Sequence, residues 1–321
     1  MAEIATSIQD RVDPRDRSRR RGRVIGLIIF ICLLCGVYGK ALIALTSHVA
    51  RSELHSYILL IPLVSAYLLY ERRRALPQQY TASPISAAAL VVVAIVTLVL
   101  AERSDSLSEN DYLSTVALSF VCFFWAGVLA FLGRLWTTVA IFPVAFLVFI
   151  VPMPDIMSAN LETASQLAST EAANLFFHLF GMPILRDGTR FQLPDIAIEV
   201  GKECSGIRSS WVLLITSMVA ANLFLRRPRR RLALVCFVFP LAILRNGFRV
   251  FVIGLLCVEI GPNMINSLIH RRGGPLFFTL SLVPLFVLLW WLRRTERRPK
   301  SDVAQQAQLD SSPTNTRGVS N

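Results

Sequence analysis

The segment Glu203-Cys204-Ser205-Gly206-Ile207-Arg208 joins a polar stretch of the chain to a long apolar run, from Trp211 to Leu225. We expect this run to form a transmembrane helix with Cys204 on its first turn, at the membrane interface. Backbone N–H groups at a helix start carry partial positive charge, which favours a thiolate over a thiol. Arg208, four residues later, would share the helix face of Cys204 and add a full positive charge. Isolated cysteines more often serve as small apolar residues. Whether Cys204 is a reactive thiol or a packing residue therefore depends on the other residues that accompany it.

The composition is that of a membrane protein. Of the 321 residues, 54% are hydrophobic and 17% are charged, and the mean hydropathy is +0.55. Several apolar runs reach the length of about 20 residues that a bilayer-spanning helix needs. The net charge of +12 could indicate nucleic acid, but the arginines cluster between the apolar runs, a pattern that orients membrane proteins. We therefore expect the lipid bilayer as a partner and no nucleic acid, and we predict no cleavable signal peptide.

Eight apolar runs follow one another along the chain. We predict transmembrane helices at about residues 24–45, 55–70, 85–100, 112–132, 136–151, 204–225, 232–258 and 275–292. The turn Gly133-Arg134-Leu135 is short, so we expect the fourth and fifth spans to pack antiparallel beside each other. With both termini in the cytoplasm, all the arginine clusters fall on the cytoplasmic side, as the positive-inside rule requires. These clusters lie at residues 11–23, 72–74, 226–231 and 293–298. We predict a disordered basic cytoplasmic tail at residues 1–23, a membrane-embedded domain at 24–294, and a second disordered cytoplasmic tail at 295–321.

The longest stretch between spans, residues 155–203, falls on the outer side of the membrane. Its first half predicts an amphipathic helix that lies on the membrane or on the other spans. The apolar residues at helical spacing are Leu161, Ala164, Ala168, Ala172, Leu175 and Leu179. Asp187-Gly188 is a hairpin turn signal, and residues 196–200 alternate as a third short strand. The predicted fold is an all-α polytopic membrane protein of about eight transmembrane helices, with this amphipathic helix and a short β-hairpin between spans five and six.

The six cysteines differ in their surroundings. Five lie within apolar runs, where we interpret them as packing residues: Cys32, Cys35, Cys122, Cys236 and Cys257. The CxxC spacing of Cys32 and Cys35 lies in the middle of a predicted span, without the polar surroundings that a redox or metal site needs. Only Cys204 lies at the polar border of a run.

A second group of polar residues interrupts the seventh predicted span. Arg249 lies roughly 25 Å along a membrane core about 30 Å thick, and Arg245 and Asn246 lie one turn deeper on the same face. A buried arginine costs at least about 2.5–3.5 kcal/mol in the middle of a membrane, so such residues indicate a functional site. The alternative is a structural ion pair between Arg249 and a carboxylate such as Glu199 or Glu259.

The predicted topology brings three reactive residues to the outer face of the membrane. Cys204 opens span six, Arg249 lies near the outer end of span seven, and His270 precedes span eight. Such a set can perform acyl transfer with the cysteine as nucleophile, the histidine as proton carrier and the arginine as oxyanion donor. One cysteine and one histidine do not make a four-ligand zinc site, and we expect no metal and no other cofactor. Supporting candidates are Arg208, Asn246, Arg245 and Glu203.

Several stretches resemble one family of membrane enzymes. They are His55-Ser56-Tyr57-Ile58-Leu59, Phe142-Pro143 through Pro152-Met153-Pro154, Glu199-Val200 with Cys204-Ser205-Gly206-Ile207-Arg208, Asn246-Gly247-Phe248-Arg249-Val250, and His270 with Gly273. In this order they resemble the exosortase/archaeosortase family, over roughly residues 20 to 295. The cysteine, NxxR and histidine blocks carry most of the resemblance. The glycine that usually follows the first histidine is missing here, and Arg245 and Arg271-Arg272 add charges.

The resemblance implies a membrane cysteine peptidase and transpeptidase of the inner membrane, with Cys204, Arg249 and His270 as the catalytic residues. Its substrates would be exported proteins with a PEP-CTERM-type tail, which consists of a C-terminal motif, an apolar helix and a basic end. Two other classes of protein stay open. In a transporter, Arg245 and Arg249 would line a substrate path, although we see no internal repeat. A non-catalytic subunit of an exopolysaccharide or export system is the other alternative.

Overall fold

The computed structural model describes residues 14–51, 56–77, 79–104, 106–194, 196–201, 206–261 and 274–296. Most of these residues are helical, as predicted. The chain divides into two compact units, Met1–Asn160 and Leu161–Asn321.

Helices make up the described part of the first unit. They are α1 (Pro14–Val37), α2 (Gly39–Arg51), α3 (Ile61–Glu71), α4 (Pro84–Arg103), α5 (Glu109–Val139) and α6 (Ile141–Phe146). Short 3₁₀ turns at Ser56–Leu60, Arg72–Arg74 and Leu147–Ile150 join some of them. Between α4 and α5, Ser119 donates from Oγ to the Ala94 carbonyl at 2.7 Å, and its Oγ lies 2.7 Å from the Tyr38 hydroxyl. The fully buried Ser119 therefore provides a hydrogen-bond partner for the Tyr38 hydroxyl inside an apolar helical bundle.

The predicted turn at Gly133 is present as a break inside α5. Gly133 has φ +81° and ψ 175°, a conformation almost confined to glycine. A Cβ atom there would lie 2.5 Å from the Thr81 carbonyl oxygen, which accepts a 2.9 Å hydrogen bond from the Arg134 N–H. Beyond the break the chain turns back, and Trp125 Nε1 donates to the Val144 carbonyl of α6 at 2.8 Å. The fourth and fifth predicted spans thus pack side by side, as expected, but the fifth consists of short helical pieces.

The second unit combines helices with a small sheet. The first helix, α7 (Asp155–Leu179), contains the boundary between the units, and α8 (Ile207–Phe224), α9 (Pro228–Glu259) and α10 (Gly274–Glu296) follow. Between α7 and α8 lie β1 (Leu185–Asp187), β2 (Arg190–Gln192) and β3 (Ala197–Glu199), all antiparallel in the order β1-β2-β3. Arg186 pairs with Phe191, and Phe191 pairs with Ile198. The predicted hairpin and third strand are therefore confirmed.

An aromatic core holds the sheet to two helices. Phe177 of α7 and Phe191 of β2 are fully buried, with ring centroids 5.2 Å apart, and Phe251 of α9 packs on Phe177 at 5.5 Å. At the surface, Arg186 of β1 donates from Nη1 and Nη2 to Glu171 of α7 at 2.9 and 2.6 Å. These hydrogen bonds raise the pKa of Arg186. The strands are thus fixed to α7 from both sides.

Two glycines bring α9 close to α7. A Cβ atom on Gly247 would lie 2.5 Å from the Ala172 Cβ, and one on Gly254 would lie 2.7 Å from the Phe177 ring. The side of α7 that packs inward consists of mostly small residues: Ser169, Thr170, Ala172, Ala173 and Phe177. The predicted apolar face is therefore only partly buried, because Leu175 and Leu179 are 52% and 69% exposed. The side chains of these two leucines face away from the core.

The prediction of eight spans is not confirmed. Among the described residues, five helices are long and apolar enough to cross a membrane, or up to seven if each of two bent pairs is one span. The pairs bend by 70° between α1 and α2 and by 93° before α7. The predicted second span is a 3₁₀ turn followed by the 11-residue α3, which is shorter than the roughly 20 residues that a bilayer needs.

Other boundaries differ from the predictions as well. α1 begins at Pro14, so the helix includes residues 14–23, which we predicted to be disordered. α8 begins at Ile207, three residues after the predicted start at Cys204, because Gly206 has a left-handed backbone. Cys122 and Cys257 are buried as predicted, whereas Cys32, Cys35 and Cys236 are exposed at the protein surface.

Candidate active site

Gly206 begins the candidate site, at the N-cap of α8. Its φ of +66° and ψ of +18° place it in the left-handed region, which glycine adopts without a steric penalty. A Cβ atom on Gly206 would collide with the side-chain amide of Asn246 in α9. The backbone conformation and the close approach of Asn246 each require a glycine here, two residues after Cys204.

The carbonyl oxygen of Gly206 is surrounded by donors. The Ser210 N–H, the Ser210 Oγ and the Ser209 Oγ each donate to it at 2.9 Å. Arg245 Nη2, from α9, approaches the same oxygen at 3.2 Å. The first turn of α8 is thus held both by its own serines and by a guanidinium from another helix.

Arg245 and Asn246 form a buried polar pair beside this turn. Their exposed fractions are 7% and 3%. Arg245 Nη2 also contacts Ser210 Oγ at 3.1 Å and Asn246 Oδ1 at 3.1 Å, while its Nε lies 3.3 Å from Asn246 Oδ1. Arg245 Nη1 is buried and has no hydrogen-bond partner among the described residues. Burying a hydrogen-bond donor without a partner costs free energy, so we look for a function that explains why Arg245 is buried here.

The two other arginines of the prediction differ in position. Arg249 lies one helical turn beyond Arg245 on α9, in the direction that we predicted to be outward, and it is half-buried, with its Nε fully buried. Arg208 is the second residue of α8 and its side chain is exposed. Cys204 lies outside the described residues, so the predicted sharing of one helix face by Cys204 and Arg208 stays a prediction.

The structure brings two of the three predicted blocks together. The turn at Gly206, in the middle of the cysteine block, contacts Asn246, which opens the NxxR block, and Arg245, which precedes it. Cys204, Glu203 and His270 lie outside the described residues, as does His55 of the first block. Asn246 and Arg245, predicted as supporting residues, therefore contact the described part of the cysteine block.

Two features of the site were missed in the sequence. Gln166 of α7 donates from Nε2 to the Val200 carbonyl at 2.5 Å, four residues before Cys204. Ser209 and Ser210 were also not singled out, although their spacing of three and four residues after Gly206 is typical of hydroxyls that bond back to a helix carbonyl. No local signal could have identified Gln166, because it lies in a different helix.

An apolar cavity of about 310 Å³ borders the same turn. It lies between α7, α8 and α9, and its lining includes Ala168, Ile207, Ser210, Trp211 and Ala242. Its walls are almost entirely apolar. A cavity of this kind can accept an aliphatic or aromatic segment next to the polar turn.

Long apolar helices, and a buried guanidinium that contacts the first turn of one of them, are the features of a multi-pass membrane protein with a polar site among its helices. The family model described as Transmembrane exosortase (Exosortase_EpsH) matches residues 46–287, which is more than half of the chain. The chain therefore belongs to the transmembrane exosortase family. No curated protein and no solved structure matches it significantly.

Proposed function

We propose that the chain is a cysteine-type peptidase and transpeptidase that cleaves C-terminal sorting signals of exported proteins and transfers them to an acceptor through a thioester. The observation that carries the proposal is the contact of Arg245 and Asn246 with the turn at Gly206. This contact lies two residues from Cys204 and one helical turn from Arg249. Family membership supports the same reaction class.

The reaction divides into two acyl transfers. The Cys204 thiolate attacks the carbonyl carbon of the scissile peptide bond, and Arg249 donates hydrogen bonds to the oxygen that becomes negative. The C–N bond then breaks, and His270 gives a proton to the departing amine. An acceptor, either water, a peptide amine or a lipid head group, attacks the resulting thioester. His270 takes the acceptor's proton as the Cys204 thiolate leaves.

The substrate proposed for this reaction has an apolar helix with a basic end after its cleavage motif. The apolar cavity beside Ile207 and Trp211 supports this choice, since it offers an apolar surface close to the reacting residues. We propose that the protein lies in the inner membrane, with both termini cytoplasmic and the site on the outer face. Reporter fusions after Glu102 and Gly188 should then report outside, and one after Arg229 inside. An outside result at Arg229 would contradict this orientation.

The central experiment uses a tailed reporter, an exported protein that ends in a Pro-Glu-Pro motif, an apolar helix and several arginines. Cys204→Ala and Cys204→Ser should abolish cleavage of this tailed reporter while the protein accumulates normally in the membrane. Cys236→Ser is the matched control, because Cys236 is exposed on α9 and lies outside the site. Processing by either Cys204 variant at the wild-type rate would exclude Cys204 as the nucleophile.

His270 is tested by separating binding from cleavage. His270→Ala should still crosslink to the tail of the reporter but accumulate the uncleaved precursor, because proton transfer and not binding is lost. If this variant fails to bind the tail, His270 has a structural role. Glu203, which adjoins Cys204, is then the next candidate for the proton carrier.

A further inference from the structure

Arg245 stands out among the charged residues that the structure describes. Within these residues it is the only charged side chain that is buried, with 7% of its surface exposed. Burying a guanidinium in a membrane protein is costly, and its retention indicates a specific task. The general cysteine chemistry proposed above uses Arg249 and leaves Arg245 without a role.

The contacts of Arg245 converge on a single short segment. Its Nη2 lies 3.2 Å from the Gly206 carbonyl oxygen and 3.1 Å from Ser210 Oγ, so it bonds both ends of the first turn of α8. Asn246 Oδ1 accepts from the Nε and Nη2 of Arg245, and its amide fills the space where a Cβ atom of Gly206 would be. Asn246 thus orients the guanidinium of Arg245, and this guanidinium in turn contacts the carbonyl of Gly206.

Covalent geometry connects this turn to the proposed nucleophile. Cys204 lies two residues before Gly206, so Ser205 alone separates the proposed nucleophile from the turn in the sequence. Because so few backbone torsions lie between them, we expect a displacement of the Gly206 turn to displace Cys204 as well.

We propose that Arg245 is a positioning residue that fixes the Gly206 carbonyl and thereby holds Cys204 in place for attack. This inference rests on the proposed function. Arg245 acts through Gly206 and does not contact the scissile carbonyl, which is the task assigned to Arg249. Because the contact is a hydrogen bond from a long cationic side chain, lysine can replace it in part, whereas an apolar side chain of similar length cannot.

The test compares Arg245→Met with Arg245→Lys in the full-length protein in membranes. Arg245→Met should lower kcat for the tailed reporter about 100-fold, the size of effect expected from a small misplacement of a reacting group, and leave KM within about twofold. Arg245→Lys should recover most of this loss. A KM increase with an unchanged kcat, or a lysine variant as inactive as the methionine variant, would overturn the inference.

The chain offers a matched control on the same helix. Arg231 donates from Nε to the Leu225 carbonyl at 2.8 Å, so it also links α9 to the backbone at an end of α8, but at the opposite end from Gly206. Arg231→Met and Arg231→Lys should leave kcat unchanged. If Arg231→Met lowers kcat as much as Arg245→Met does, the effect reflects general helix packing and the inference fails.

A second readout separates this inference from the proposed function. The rate at which a membrane-impermeant maleimide labels Cys204, corrected with the Cys204→Ala protein, needs no substrate. Arg245→Met should slow this labelling roughly tenfold, because the loss of a positive charge beside the Gly206 turn makes the thiolate of Cys204 less favourable. Equal labelling rates of Arg245→Met and the wild type overturn the positioning role of Arg245, whether or not Cys204 is the nucleophile. Processing by Cys204→Ala overturns the proposed function instead.

Loss of folded protein would not hide the result. If Arg245→Met does not accumulate in the membrane, Arg245→Gln replaces it, because glutamine is polar but neutral and too short to hold the same contacts. The expected losses of kcat and labelling are the same. Wild-type values in Arg245→Gln would contradict the inference.

Discussion

Two glycines with positive φ, Gly133 and Gly206, occupy comparable positions in the two units. Each precedes a helical segment, and each is so closely approached that a Cβ atom would collide with a neighbour. At Gly133 that neighbour is the backbone carbonyl of Thr81, and the Arg134 N–H completes a contact between main-chain groups. At Gly206 the neighbour is the side chain of Asn246, and a buried guanidinium lies beside it.

The difference shows that a closely approached glycine with positive φ can have two different roles. Main-chain contacts such as that at Gly133 fix the path of the chain and involve no reactive group. The contact at Gly206 fixes the path of the chain and also places charge beside it. We therefore expect changes around Gly206 to affect the reaction in each folded molecule, whereas a change at Gly133 should affect how many molecules fold.

The largest effect is expected from Arg249, one turn beyond the residues that hold Gly206. Arg249→Lys keeps the charge but loses the planar pair of donors that a guanidinium offers an oxyanion. Processing of the tailed reporter should fall about 10²–10³-fold, as when an oxyanion-hole donor is removed. Arg245→Lys should be milder, because that residue holds the turn. Equal losses at the two positions, measured per membrane-embedded molecule, would mean that the arginines form a structural pair.

Gly206→Ala should have the next largest effect. The new methyl group would displace the Asn246 amide, and with it Arg245, so we expect a loss of processing of about 100-fold. The matched control is Gly181→Ala, since Gly181 has φ +67° but nothing within 4 Å of a Cβ atom. It imposes the same backbone strain without displacing a side chain. Similar losses in both variants would attribute the effect to strain alone.

Ser210→Ala should have a smaller effect on processing. It removes one hydrogen bond to the Gly206 carbonyl and one contact with Arg245, so a loss of roughly threefold to tenfold is expected. Ser209→Ala removes only a bond to the same carbonyl and should reduce the rate less. Initial rates with the tailed reporter measure both. A greater loss in Ser209→Ala would contradict the importance of the Arg245 contact.

Gly133→Ala should leave processing per folded molecule unchanged. The backbone conformation and the Thr81 carbonyl both oppose a side chain, so stability should fall by about 1–3 kcal/mol. Thermal denaturation monitored in detergent and the amount of membrane-embedded protein report this loss. A fall in the rate per molecule as large as that in Gly206→Ala would erase the distinction between the two glycines.

Much of the fold could be predicted from local patterns. Apolar runs indicated the helices, Gly133 indicated the break before α6, and Asp187-Gly188 indicated the hairpin, because each signal depends on neighbouring residues only. Helix bends and lengths were predicted less well. The run before Glu71 was apolar enough for a span, yet 3₁₀ geometry leaves α3 with 11 residues. Hydropathy does not encode where a helix bends.

Residues could be proposed for the candidate site from the sequence, but their contacts could not. Intramembrane charge identified Arg245 and Arg249, since polar groups in apolar runs are conspicuous. Counting residues along the helix placed Arg245 one turn deeper than Arg249, but it could not show that the long side chain of Arg245 contacts Gly206. Gln166 gave no signal at all, because its partner Val200 is distant in sequence. Contacts between elements depend on packing, which a single sequence does not display.

The hydrogen bonds to the Val200 and Gly206 carbonyls have a consequence for the entropy of the reaction with a substrate. Gln166 holds the chain on one side of Cys204 and Arg245 holds it on the other. Fixing both ends of a short segment costs loop-closure entropy, and that cost is met during folding. A substrate that reaches the site therefore does not have to supply it. For the proposed nucleophile, the two bonds would raise the effective molarity of the Cys204 thiol, which is the advantage that an intramolecular reaction has over a bimolecular one.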